Sequence, residues 1–307
     1  MSQTQPPAAR QDPGGDAGTP ANPRWIAQPG PAPAERIQWV EATGRPVAFE
    51  LPPGTRLLDA VRAAFAAEGF ASGVLRIEGG ALEPFAYVMP ALSRDGRNAA
   101  FYSKTFRPAG PSRLSTGALT FGIRDGAPFF HGHALWTEAD GTRHGGHILP
   151  DETVVAEPIR ATGFGLSGAA FVAEPDGETN FTLFGPVPQP GGPAQGRRAF
   201  ALRLRPNQDL AGALEAFCRE RGIARARLHG GVGSIIGARF RDGSAIEPFA
   251  TEMAITAGRI GPGPGGTLEA TVDAALVDYT GGLAEGRLVR GDNPILMTLE
   301  IVLEPEG

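Results

Sequence analysis

The sequence predicts an α+β fold with two similar domains, each an antiparallel or mixed β-sheet covered by one main helix. Two observations indicate this class. A strand-like run followed by a helical stripe of apolar residues occurs twice, and many short β-like runs follow each copy. One helix beside many strands is typical of a sheet with a helix on one face.

The first copy begins with an extended run at Val47–Leu51, which ends at a Pro-Pro-Gly turn. The helical stripe that follows consists of Leu57, Leu58, Val61 and Phe65. Thr55 is the predicted N-cap, and Gly69 lies where a helix C-terminus favours a positive φ. A strand should come next and end at Gly79-Gly80.

The second copy repeats these features, shifted by 153 positions, so that Leu57 falls on Leu210 and Gly69 on Gly222. Its strand is Phe200–Leu204, and its helical stripe consists of Leu210, Leu214, Phe217 and Cys218. Asp209 is the predicted N-cap. The next strand should end in the glycines of 230–233. Cys218 lies on the apolar stripe, which predicts a buried thiol.

Composition sets the domain limits. Residues 1–34 contain eight prolines and few large apolar side chains, which predicts a disordered Pro/Gly-rich N-terminus. Residues 185–198 contain four prolines and four glycines, which predicts a linker. The two domains are therefore expected at 36–184 and 199–305.

Charge and cysteine content exclude several classes of protein. The formal net charge of -5 has the wrong sign for a protein that neutralises nucleic-acid phosphates over its whole surface. The single cysteine excludes an internal disulfide framework and a cysteine-rich zinc site. No apolar run approaches the roughly 20 residues that cross a bilayer, and the first residues lack a secretion signal. We therefore expect a cytoplasmic protein without a membrane partner.

Four of the five histidines fall within 17 residues, at positions 131, 133, 144 and 147. Asp140-Gly141 is a strong turn signal between them, so the segment is predicted to form a β-hairpin. His131 and His133 share one face of a strand. A three- or five-residue loop centred on Asp140, or a bulge, would place His147 opposite His133 on that face. His144 should then face away or lie in the loop.

Three neutral imidazoles that converge on one hairpin suit a divalent metal ion, zinc above all. The predicted ligands are His131, His133 and His147. Three protein ligands leave a fourth position for water or a small anion. The alternative is a set of hydrogen-bonded histidines on a half-exposed sheet. Glu138, Glu152 and Glu157 lie nearby in sequence, as carboxylates that either support the ligands or are simply solvated.

The run from His131-Gly132-His133 through Asp140-Gly141 to Gly145-Gly146-His147 resembles the motif of the plant-and-prokaryote conserved (PPC) domain. The strand–helix–glycine pattern of both copies resembles the same family. The resemblance implies a trimer and a metal site formed by the three motif histidines. In plant members the domain follows DNA-binding hooks, so the family is often labelled DNA-binding. It does not imply a particular chemistry for the bacterial members.

The second copy departs from this motif. At a shift of 140 positions, His131, His133 and His147 fall on Thr271, Asp273 and Arg287, so every predicted ligand is lost. The second domain is therefore expected to be degenerate, with an Asp273–Arg287 ion pair between neighbouring strands. The favoured function is a metal centre for small-ligand sensing or metal-dependent chemistry, with no substrate specified. The alternatives are a DNA-binding regulator and a structural oligomerisation module.

Overall fold

The computed structural model describes residues 24–190 and 196–307. The helices are α1 (Leu57–Ala67) and α2 (Leu210–Glu220). The strands of the first half are β1 (Ile37–Leu51), β2 (Ser72–Glu78), β3 (Ala81–Leu82), β4 (Tyr87–Val88), β5 (Pro90–Leu92), β6 (Ala100–Tyr102), β7 (Ser112–Arg124), β8 (Ala127–Thr137), β9 (Arg143–Ile148), β10 (Val155–Glu157), β11 (Ile159–Ser167), β12 (Ala169–Pro175) and β13 (Thr182–Pro188). Those of the second half are β14 (Arg197–Leu204), β15 (Ala226–Arg239), β16 (Ala245–Pro262), β17 (Leu268–Asp278), β18 (Leu283–Arg287) and β19 (Ile295–Pro305).

The predicted α+β class is wrong, because the fold is mostly β. Strands take 58% of the residues and helices 10%, and the described residues contain only two α-helices. Runs that resemble short strands in the sequence form long ones, such as the 18-residue β16. Glycines let these strands continue through bulges instead of ending them. The result is one large, mainly antiparallel sheet in place of two sheets that a helix covers.

The two halves have the same strand order. In the first half the antiparallel neighbours run β1–β11–β2–β7–β8–β9, and in the second β14–β19–β15–β16–β17–β18. Strand β1 also pairs with β14, from Ile37 opposite Leu204 to Gly44 opposite Arg197. Because β1 pairs with strands of both halves, the sheet continues from one half into the other.

Both predicted helices occur with the expected stripe buried, and each half has its own apolar cluster around its helix. Gly69 and Gly222 adopt the positive φ that a helix C-terminus favours, 78° and 64°. Asp209 caps α2 by accepting a hydrogen bond from the Gly212 amide at 2.7 Å. The predicted Thr55 cap is wrong, since α1 begins after Arg56 without a side-chain cap. Cys218 is buried, as predicted, and burial raises the pKa of its thiol to about 12.

The strands after the helices differ in how their glycines act. Strand β2 ends at Glu78, before Gly79-Gly80, as predicted. The predicted end of the matching strand at 230–233 is wrong, because β15 continues to Arg239. Gly230 and Gly231 have φ values of 60° and 126° and form a bulge between His229 and Val232.

Parts of the predicted disordered N-terminus and of the predicted linker form ordered structure. The prediction of disorder is wrong for residues 24–34, because this segment packs against the folded chain. Ile26 is buried, and its amide donates to the Asn207 side chain at 3.0 Å. Residues 1–23 lie outside the described residues. Strands β13 and β14 take up 185–188 and 197–198 of the predicted linker, and residues 191–195 of it are not described. Neither α-helix among the described residues has the length and apolarity to cross a bilayer.

Candidate metal centre

The predicted histidine hairpin consists of β8 and β9. Thr137 pairs with Arg143, so the loop between the strands is the five residues 138–142. The amide of Thr142 donates to the Asp140 carboxylate at 2.8 Å, and Gly141 has a φ of 88°. This odd-numbered loop pairs His133 directly with His147, which is the register that the metal hypothesis required.

Three ring nitrogens converge on one point beside this pair. His133 Nε2 lies 3.1 Å from His131 Nε2 and 3.3 Å from His147 Nδ1. Ligand atoms of the three residues all lie within 4.8 Å of one another. A tetrahedral zinc ion with Zn–N bonds of about 2.0–2.1 Å requires N···N distances of roughly 3.3–3.4 Å. The two distances from His133 Nε2 are therefore close to those around a single tetrahedral ion.

The second nitrogen of two of these rings is held by the second half of the chain. His131 Nδ1 lies 2.6 Å from Glu300 Oε2, and His133 Nδ1 lies 3.0 Å from the carbonyl oxygen of Met253. A carbonyl or carboxylate oxygen can only accept, so both rings carry their proton on Nδ1. The lone pairs of the two Nε2 atoms then face each other at 3.1 Å. A cation between them would remove this repulsion and gain two ligands.

Burial favours the neutral imidazoles that bind metal. It lowers the pKa of His133 well below the usual value, and the neighbouring His131 lowers it further. The pKa of His147 is also lowered well below the usual value, first by burial and then by His131, His133 and Arg124. Neutral rings keep the lone pair that a metal ion needs.

Glu252, on β16 of the second half, lies beside the Nε2 atom of His133. Its Oε1 lies 3.6 Å from His133 Nε2, and its side chain is 6% exposed. Burial raises its pKa well above the usual value. Its Oε2 is buried and has no hydrogen-bond partner among the described residues. An unpartnered buried carboxyl oxygen is rare in native proteins and calls for a ligand, an ion or water.

The cluster lies between two cavities. A small one of about 50 Å³ is lined by His131, His133 and Glu252 together with apolar side chains. A larger one of about 450 Å³ is lined by His131, His147, Tyr102 and Arg124, among others. The ring of Tyr102 also packs edge-on against His147, with centroids 5.1 Å apart. The larger cavity gives a ligand of several atoms access to the ring nitrogens.

The other candidate residues of the hairpin lie elsewhere. His144 pairs with Trp136 across the hairpin and lies apart from the three rings, as predicted. Of the three nearby carboxylates, Glu138 accepts from the Tyr87 hydroxyl at 3.1 Å, while Glu152 and Glu157 pair with Arg107 and Arg113. These three carboxylates therefore serve other contacts and do not support the ring nitrogens.

Sequence reasoning missed Glu252 and Glu300, which do lie at the cluster. They are 119 and 169 positions from His133 and His131, beyond the reach of local spacing. One signal for Glu300 was available. It interrupts the apolar run Ile295–Leu303, and a charged residue inside such a run is seldom fully buried without a partner. Glu300 is 0% exposed.

The second half has a different arrangement at the matching positions. Asp273 pairs with Arg287 across β17 and β18, as His133 pairs with His147 across β8 and β9. The predicted ion pair is confirmed, with Arg287 Nε 2.9 Å from Asp273 Oδ1 and Nη2 3.2 Å from Oδ2. Thr271 takes the place of His131. The second half therefore lacks the three-histidine cluster.

Among the comparisons with known proteins, one family model matches the second half. Residues 192–305 match the family model of the Plants and Prokaryotes Conserved (PCC) domain. The three histidines lie outside that range. No curated protein matches the chain.

Several solved structures are similar to part of the chain. One is a plant- and prokaryote-conserved protein of Pyrococcus horikoshii, with 19% identity, 49% of this chain and 97% of that chain covered, and a TM-score of 0.39. Another is a metal-containing protein of Archaeoglobus fulgidus, with 20% identity, coverage of 46% and 94%, and a TM-score of 0.37. A third, from Ralstonia eutropha JMP134, is named as a candidate DNA-binding protein, with 17% identity, coverage of 45% and 89%, and a TM-score of 0.35.

Proposed function

We propose that the chain belongs to the PPC family, because residues 192–305 match the model of that family's domain, which is also abbreviated PCC. We also propose that the first half binds a divalent metal ion, most suitably zinc. His131, His133 and His147 are the proposed ligands. The observation that carries the proposal is the 3.1 Å approach of two imidazole Nε2 atoms whose Nδ1 protons are already donated elsewhere.

The surrounding residues have separate roles in this proposal. Glu300 and the Met253 carbonyl orient His131 and His133 and keep their Nε2 atoms free of protons. Glu252 borders the cluster from the second half, on the side of the small apolar cavity. The site is therefore built from both halves, although all three nitrogen ligands come from one hairpin.

Arg124 and the larger cavity support a small anion as the ligand. The Arg124 side chain lines this cavity together with His131 and His147, and its positive charge helps to lower the pKa of His147. A bound zinc ion would supply Lewis acidity to a ligand at its open position. Arg124 would hold the negative charge of that ligand. Small-ligand sensing and metal-dependent chemistry both follow from such a site.

DNA binding, the second candidate function, has weaker physical support. The support for DNA binding is the name of a similar structure, the Ralstonia eutropha protein. The net charge of -5 opposes sequence-independent binding to phosphates. A gel shift at two salt concentrations tests it. Retarded DNA at physiological salt would favour this candidate over a small ligand.

Metal analysis of purified variants tests the proposed function. We expect one zinc per chain in the wild type and none in His133→Ala, because that ring contacts both other ligands. His144→Ala is the matched control, since it removes an imidazole from the same hairpin but outside the cluster. It should keep its zinc. Stoichiometric zinc in His133→Ala, or none in the wild type, would contradict the proposal.

A further inference from the structure

A third cavity, of about 890 Å³, lies between the two halves and shares no lining residue with the two cavities at the histidines. Its lining is rich in cationic side chains: Arg76, Arg227, Arg259 and Arg287. The carboxylates of the lining are Asp273 and Glu306. Four guanidinium groups and two carboxylates leave an excess of positive charge in a chain whose net charge is -5.

Strand register explains why these side chains converge. Residues that pair directly across antiparallel strands lie on the same face of the sheet. Arg227 pairs with Arg259, and Arg259 pairs with Thr271. Asp273, two positions after Thr271, shares that face and pairs with Arg287. Strands β15 to β18 therefore present one cationic surface to the cavity.

The first half also contributes residues to the lining of the cavity. Arg76 of β2 lies there, paired with Thr162 of β11. Its guanidinium therefore adds to the positive charge of the cavity lining.

Two of the four arginines have no counter-ion among residues 24–190 and 196–307. Arg227 pairs with Glu306 at 3.1 Å and Arg287 with Asp273 at 2.9 Å. Arg76 and Arg259 make neither an ion pair nor a side-chain hydrogen bond with the residues that the structure describes. Like charges directly opposite on neighbouring strands are destabilising. The Arg227–Arg259 pair is thus an arrangement that a bound anion would stabilise.

We propose that this cavity binds a small, multiply charged phosphate compound. Guanidinium groups bind phosphate oxygens through two parallel hydrogen bonds, and Thr271 offers a hydroxyl beside Arg259. The volume lies in the range of small-molecule sites. The four cationic groups gather at one cavity of about 890 Å³, which favours a compact anion over duplex DNA.

The cavity lies at the place in the second half that corresponds to the histidine cluster of the first half, so the two halves are expected to bind different ligands at matching positions. Thr271, Asp273 and Arg287 occupy the positions that His131, His133 and His147 hold in the first half. The half without the histidine cluster thus has cationic residues around the matching site. The inference does not depend on metal binding at the histidines, because no residue is shared between the two sites.

Calorimetric titration of the chelator-treated full chain with pyrophosphate tests the inference. We expect saturable binding by the wild type. The affinity of Arg259→Gln should be about tenfold lower, because this variant loses roughly one charge-assisted interaction. Asp273→Asn should bind pyrophosphate more tightly than the wild type, because it removes a negative charge from the cavity. Arg94→Gln is the matched control, since it has the same charge change at an exposed arginine outside the cavity, and it should bind like the wild type.

Thermal unfolding without pyrophosphate distinguishes this role from a structural one. Removal of one of two facing charges should leave the melting temperature of Arg259→Gln unchanged or raise it. Equal affinities for Arg259→Gln and Arg94→Gln, or no saturable binding, would overturn the inference. Tighter binding of a duplex oligonucleotide than of pyrophosphate would also overturn it.

Discussion

Two of the three clustered imidazoles have a proton that is already engaged, and this fixes what their remaining nitrogens can do. Glu300 is fully buried and accepts from His131, and its other oxygen lies 3.3 Å from the Thr298 hydroxyl. A carboxylate in this position keeps a histidine in the ligand tautomer and raises its basicity. Glu300 therefore positions His131, although it lies in the second half of the chain.

Glu300→Gln should weaken zinc binding about 10- to 100-fold, the usual loss when an acceptor behind a histidine ligand is changed. The amide retains the shape of the side chain but not its charge. Competition with a chromophoric chelator measures the affinity.

Glu304→Gln is the control for Glu300→Gln. Glu304 lies on β19, like Glu300, and also accepts from a histidine, His229 of β15 at 2.7 Å, but away from the cluster. Equal zinc affinities for the two variants would show that Glu300 has no positioning role.

At the level of elements, the histidine hairpin could be predicted from the sequence, whereas its contacts with β16 and β19 of the second half could not. A turn signal and the spacing of His131, His133 and His147 were enough to predict one shared face, given an odd-numbered loop. The length of the strands could not be predicted, because glycines that end strands and glycines that form bulges look alike in sequence. For the same reason the fold was expected to be α+β.

The glycines before His147 have a packing role that the structure explains. A Cβ added at Gly146 would lie 2.5 Å from the Val88 carbonyl oxygen and 3.3 Å from the Tyr87 ring. Strand β9 lies between β8 and β4, and Val88 of β4 pairs with His147. Only a residue without a side chain lets β9 approach β4 this closely.

Gly146→Ala should therefore displace His147 and weaken zinc binding, and overpacking of this kind costs about 1–3 kcal/mol of unfolding free energy. Urea denaturation and chelator competition measure the two effects. Gly177→Ala is the control, because a Cβ there meets no atom within 4 Å. If Gly146→Ala retains the wild-type zinc affinity, the close approach does not position His147.

On the scale of the whole molecule, the two halves are joined by strand pairing and by buried charges. Asp176 follows β12 in the first half and lies 2.8 Å from both Arg203 and Arg205 of the second half. Asp176 and Arg203 are each 5% exposed. The division into domains at 36–184 and 199–305 stays a prediction, as does the trimer that the resemblance implies.

Asp176→Asn should lower the unfolding free energy by about 3–5 kcal/mol at neutral pH, because it leaves a buried arginine unpaired. Asp151→Asn, at an exposed position, is the control and should have little effect. Urea denaturation measures both variants. A loss no larger than that of the control would contradict the assigned role of the ion pair.

The effect should also depend on pH. Burial opposes ionisation of Asp176, but Arg203 and the hydrogen bonds from Arg203, Thr179 and Arg205 outweigh it and lower the pKa to about 2 from 3.8. A lowered pKa stabilises the folded state above the unfolded pKa, and this stabilisation is lost as the pH falls toward 2. The difference between wild type and Asp176→Asn should therefore narrow below pH 4. A difference that stays constant between pH 7 and pH 2.5 would contradict this assignment.

X-ray absorption at the zinc edge tests the central claim, a metal ion held by three imidazoles, most directly. The spectrum of the zinc-loaded chain should show nitrogen or oxygen neighbours at about 2.0–2.1 Å, with the multiple scattering of three imidazole rings. His133→Ala should lose that pattern, and His144→Ala should keep it. A sulfur neighbour at about 2.3 Å, or the same spectrum for wild type and His133→Ala, would contradict the claim.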